Sequence, residues 1–161
     1  MASTKNYSSW EKNFEKAVNE IASLSIAHYA LSDVVTKLNG LFWSKFKEPK
    51  DIEGFADETF FRKLAEIAIS GASQMTNKPV PEIGKECYEL GVRKNKDYGS
   101  DNILKFGTMG VIVRIGDKIN RLNNMFKTGT QEVKDEKQLD TLMDIFNYAV
   151  YGIMLSRNVW F

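Results

Sequence analysis

Residues 137–156 read KQLDTLMDIFNYAVYGIMLS. Leu142, Ile145, Phe146, Ala149 and Ile153 occupy much of the circumference of a helix. Asp140, Asp144, Asn147 and Tyr151 stand at i, i+4, i+7 and i+11, one narrow polar stripe at about 100° per residue. A strand would alternate polar and apolar residues, and this stretch does not. It predicts a helix buried on nearly every side.

The rest of the chain follows the same period. A helix starting at Ser8 or Ser9 carries Phe14, Ala17, Val18, Ile21 and Leu24. A second, HYALSDVVTKLNGLFWSKF, stops before Pro49. Asp57 stands as N-cap to ETFFRKLAEIAISGASQM. NKPVP then breaks the chain, and Pro81 opens EIGKECYELGVRKNK. YGSDN is a turn, with Gly99 suited to positive φ and Asn102 to capping. A helix from about Ile103 to Phe126 and a polar loop, KTGTQEVKDEK, lead into the last helix. With no segment alternating as a strand, the fold class is all-α, a bundle of five or six helices in one domain spanning 1–161.

Composition narrows the chemistry. The chain has 161 residues, 43% of them hydrophobic and 27% charged, with a formal net charge of +1. That balance gives no global attraction to nucleic acid or an anionic membrane, so direct DNA binding is not expected and any anion site is local. No apolar run is long enough to span a bilayer, so no membrane partner is expected. One cysteine, Cys87, and one histidine, His28, exclude an intrachain disulfide, a multi-cysteine zinc site and a His-rich metal site. A cytoplasmic location is the simplest fit. A metal would have to be held by carboxylates, which favours Mg²⁺, with Mn²⁺ as the other choice.

Charged residues gather in the C-terminal half. In VIVRIGDKINRL, residues 111–122, Ile112, Ile115, Ile119 and Leu122 form an apolar stripe, while Arg114, Asp117, Lys118 and Arg121 form a charged one. Two readings stand. The charged stripe is a solvated face with ion pairs from Arg114 to Asp117 and from Asp117 to Arg121, or it is the wall of a site. Asp140 and Asp144 repel each other across one turn, and a cation between them would turn repulsion into chelation. Asp117 would then be a third carboxylate, and the cations would meet phosphate oxygens. RKNKDYGSDN, residues 93–102, places cations at a helix C-terminus, where the dipole alone explains them. Lys94 and Lys96 would otherwise hold phosphate, and Tyr98 would stack on a base. Gly107 and Gly110 read first as packing positions. Glu86 and Glu89 read as surface, and Glu136 precedes the Asp140 turn by one more.

Three blocks carry a family resemblance: RKNKDYGSDNILKFG, VIVRIGDKINRLNNM and VKDEKQLDTLMDIFNYAVYG. Together, over about residues 84–158, they resemble the nucleotide modification-associated domain family, grouped with the all-α, MazG-like nucleoside triphosphate pyrophosphohydrolases. The resemblance implies a four-helix core at 82–161, with 1–80 as an N-terminal helical extension. It implies Mg²⁺-dependent cleavage of a (deoxy)nucleotide to a monophosphate and pyrophosphate, in phage or bacterial nucleotide metabolism. Asp117 and Asp144 match the family's metal-binding acids, with Asp140 or Glu136 standing in for a missing glutamate. Lys94, Asn95, Asp97 and Tyr98 match the first block, Lys118 and Arg121 the second, Asn147 and Tyr148 the third.

The chain departs from the MazG pattern at Arg114 and Thr141, where glutamates are expected. One metal with Arg114 in place of a second cation would accommodate this. So would a protein that sequesters a nucleotide without cleaving it, in phage defence or counter-defence. Asp117, Asp140 and Asp144 are the expected metal ligands, with Glu136 positioning water. Arg114, Lys118, Arg121, Lys94 and Lys96 are expected at the phosphates. Asn95, Asp97, Tyr98, Asn147 and Tyr148 are expected elsewhere on the nucleotide. The resemblance further implies a homo-oligomer, a dimer or higher.

Overall fold

The computed structural model describes residues 9–24, 29–46, 57–99, 101–128 and 134–161. The described residues form helices α1 (Ser9–Ala22), α2 (Leu31–Lys45), α3 (Glu58–Thr76), α4 (Val80–Tyr98), α5 (Asp101–Thr128) and α6 (Lys134–Ser156), and no strand. The all-α expectation holds.

Local chemistry sets the boundaries. Asp57 accepts a hydrogen bond from the Phe60 N–H at 2.9 Å, capping α3 as its sequence predicts. α4 begins at Val80, with Pro79 as its N-cap residue. Pro81 sits in the first turn, where its missing N–H costs nothing. Gly99 ends α4 with φ 78°. Asn102 does not cap α5: it lies inside the first turn, and its N–H donates to the Gly99 carbonyl. α5 and α6 together take residues from both ends of the expected polar loop, because the helical hydrogen-bond ladder extends to Thr128 and resumes at Lys134. His28 and the central part of that loop lie outside the described residues.

α6 is the hub. It packs most extensively on α3 and α5, and also on α1 and α4. Leu142, Ile145, Phe146, Ala149, Val150, Ile153 and Met154 are all buried. One hydrophobic cluster includes residues of all six helices. The N-terminal segment is therefore half of the core rather than an appendage, with Phe61 and Leu64 of α3 fully buried. α1 presses on α4 where side chains are small. A Cβ on Gly91 would come within 2.5 Å of the Phe14 ring, so only glycine permits this approach.

α5 is not one straight rod. Gly107 has φ 59° and ψ −148°, a conformation essentially confined to glycine. A Cβ there would meet nothing within 4 Å. The glycine thus serves the backbone kink and not packing, which corrects its first sequence reading. Leu104, Phe106, Met109 and Val113 of the same helix are substantially exposed.

Candidate functional site

α4 and α5 both lean on α6 more than on each other, and the space between them is a cleft of about 470 Å³. Lys94, Asn95 and Tyr98 line it from α4, Asn102, Ile103 and Arg114 from α5, and Asp144, Asn147, Tyr148 and Tyr151 from α6.

Asp144 is the electrostatic centre. It is 8% exposed. Its Oδ1 accepts from Lys94 Nζ at 2.6 Å and its Oδ2 from Lys118 Nζ at 3.0 Å. Arg114 Nη1 donates to the Tyr148 hydroxyl at 3.3 Å, and the guanidinium lies 5.7 Å from that ring's centroid. The register is that of antiparallel helices: Lys118 meets Asp144 and, one turn away on each helix, Arg114 meets Tyr148. Two lysines therefore meet on one carboxylate, with Arg114 one turn away, in a protein whose overall charge is nearly balanced. The within-helix pairs Arg114–Asp117 and Asp117–Arg121 are not among the ion pairs of the described residues. Arg114 and Lys118 face α6 instead.

The inner end of the cleft is polar but sealed. Asn147 is 4% exposed, and its Nδ2 donates to the Cys87 carbonyl at 3.0 Å. Its Oδ1 is buried without a partner. Burial pushes the Cys87 thiol and the Tyr151 phenol well above their ordinary values. Both stay protonated at neutral pH, so neither is a ready nucleophile.

The structure brings Lys94, Asn95, Tyr98, Arg114, Lys118, Asp144, Asn147 and Tyr148 to one place. Lys96, Asp97, Asp117, Arg121 and Asp140 are exposed and do not line the cleft. The side chain of Glu136 lies outside the described residues. Among the described residues no three His, Cys, Asp or Glu side chains come together as a metal site. Both Asp144 oxygens face ammonium groups, which is the surrounding of a carboxylate inside an anion site rather than of a preformed cation site. Sequence reasoning left out Asn102 and Ile103, which line the cleft from the first turn of α5. It placed Tyr151 on the polar stripe but gave it no role.

The match to known proteins falls on this same region. Residues 94–155 match the family described as nucleotide modification associated domain 1. The matched segment runs from Lys94 across α5 and through most of α6, so it contains every lining residue of the cleft. Comparison with curated proteins and with solved structures finds no match. Among the described residues no helix is long and apolar enough to cross a membrane.

Proposed function

We propose that the cleft binds a (deoxy)nucleotide, with its phosphates at Lys94, Lys118 and Arg114. The observation that carries this reading is the convergence of lysines from two helices on one buried carboxylate, with an arginine one turn away. Asp144 offsets only part of that charge, and phosphate oxygens are the natural complement of the remainder. Tyr98, 73% exposed at the mouth, offers a ring face for the base. The match of residues 94–155 to a nucleotide-modification-associated family supports the same ligand class.

A second reading adds chemistry: cleavage of the bound triphosphate to a monophosphate and pyrophosphate. Asp140 stands one turn before Asp144 on α6 and Asp117 directly before Lys118 on α5, and these are the residues that favour it. Magnesium would supply charge neutralisation at the phosphates in that reaction. The described carboxylates do not form a ready site for it, so binding is the primary reading. Phage or bacterial nucleotide metabolism is the proposed setting. The protein would work in the cytoplasm as a homo-oligomer.

The test is mass spectrometry of a panel incubated with the protein: common and modified dNTPs, NTPs and cyclic nucleotides, with Mg²⁺, with Mn²⁺ and with EDTA. A nucleotide recovered intact from the denatured protein establishes the binding reading. Metal-dependent monophosphate plus pyrophosphate establishes the enzyme, and Asp144→Asn should then abolish turnover. Neither bound nucleotide nor product refutes both.

A further inference from the structure

Asn147 holds an unusual position for a buried amide. Nδ2 is committed to the Cys87 carbonyl at 3.0 Å, while Oδ1 has no partner and no contact with solvent. Rotating the amide by half a turn would set its oxygen against the Cys87 carbonyl oxygen, so the orientation is fixed by its neighbour. The group left for a visitor is an acceptor and nothing else. Buried acceptors are nearly always satisfied, and one left open in a cleft wall marks a place where a donor is missing.

We infer that Asn147 Oδ1 is a specificity-determining acceptor that takes a hydrogen bond from an N–H or O–H group on the base or sugar of the bound nucleotide. This rests on the nucleotide-binding reading above. The position fits it. Asn147 lies three residues beyond Asp144 on α6, about 4.5 Å along the axis. It thus stands beside the phosphate-binding cations and not among them. Deeper in the same direction stands Tyr151, whose hydroxyl lies against Gly91 of α4.

Asn147 lines the same cleft as Lys94 and Asp144, so a nucleotide whose phosphates meet the lysines holds its base or sugar in the cleft that Asn147 walls.

The experiment is titration calorimetry of the full chain in EDTA, wild type and Asn147→Ala, with the four common dNTPs and with inorganic pyrophosphate. Pyrophosphate has neither base nor sugar and serves as the control for the cationic wall. The expected result is that Asn147→Ala weakens the tightest dNTP about 10- to 100-fold and leaves pyrophosphate unchanged. Equal weakening of both ligands, or of neither, overturns the inference.

Because Asn147→Ala also leaves the Cys87 carbonyl without this donor and so weakens the fold, the second arm keeps the wild-type protein. It compares the tightest dNTP with its 3′-deoxy analogue and with an analogue N-methylated on the base. Loss of affinity with the first assigns the donor to the sugar, and with the second to the base. Loss with neither overturns the inference. Wild type that binds neither dNTP nor pyrophosphate refutes the nucleotide-binding reading itself, an outcome distinct from all of these.

Discussion

Replacing Lys94 and Lys118 by methionine, singly and together, tests the electrostatic centre of the cleft through stability alone. Asp144 is 8% exposed and has one ammonium on each oxygen. Either single change leaves the other ion pair, so the carboxylate keeps a cation. The side chains of Lys94 and Lys118 are 46% and 26% exposed, which screens each pair. Each single change should therefore cost about 0.5–1.5 kcal/mol. The double change leaves a buried carboxylate without an ammonium, and that should cost about 3–5 kcal/mol. The excess over the sum of the singles should be about 1–3 kcal/mol. Adding Asp144→Asn to the double variant should recover most of it, since the uncompensated charge is gone. Urea denaturation followed by the fluorescence of Trp10, Trp43 and Trp160 measures all four variants, with the slope of the transition checking that the unfolded state is unchanged. Additive effects, or a double variant within 1 kcal/mol of wild type, would refute the view that Asp144 depends on both lysines.

Gly107→Ala forces a side chain onto φ 59°, ψ −148°, and should cost about 1–3 kcal/mol in the same assay although the space there is open. Gly91→Ala fails for the opposite reason, with normal helix geometry but a Cβ 2.5 Å from the Phe14 ring. Overpacking should cost it about 1–3 kcal/mol. Alkaline stability follows from Cys87 and Tyr151. Their folded-state values are raised, so the unfolded chain loses these protons first. The stability they contribute is complete below pH 9.0 and falls as pH rises, first through Cys87, whose ordinary value is 9.0, and then through Tyr151, at 10.0. The limiting slope is about 1.4 kcal/mol per pH unit for each group, and Cys87→Ala should delay its onset by roughly one pH unit in denaturation curves at pH 8–11. Cys87 should also resist thiol reagents in the native protein and react promptly in urea.

Some of this architecture was legible because it is local. The Asp57 cap involves residues three apart, and the burial of α6 is written in its apolar circumference. The Gly107 kink was not legible, since the helical period continues on both sides of it and a glycine within a helix has several uses. The charged stripe of α5 showed its residues but not their partners. Within-helix pairing competes with pairing across helices, and only the packing of α5 on α6 decides between them. Asp144 meets lysines 50 and 26 residues away in sequence. Asp117 neighbours Lys118 in the chain yet points about 100° away around the helix, which is why it is exposed while Lys118 reaches Asp144. The open acceptor of Asn147 has no sequence signature, because it depends on a main-chain carbonyl 60 residues earlier.

The position of α6 in chain order also governs how the protein is made. It follows α1, α3, α4 and α5, and each of them packs against it. Asn13 of α1 donates hydrogen bonds to the carbonyls of Val159 and Phe161, and Trp10 stacks edge-on against Trp160. During synthesis the earlier helices can pack on one another, but the faces they turn to α6 stay uncovered until it emerges. Closure waits for α6 and the residues after it up to Trp160, whose contacts with α1 and α3 are distant in sequence. Until the hub arrives the nascent chain is a natural client for chaperones, and a ribosome stalled before α6 would release an aggregation-prone fragment rather than a smaller folded protein.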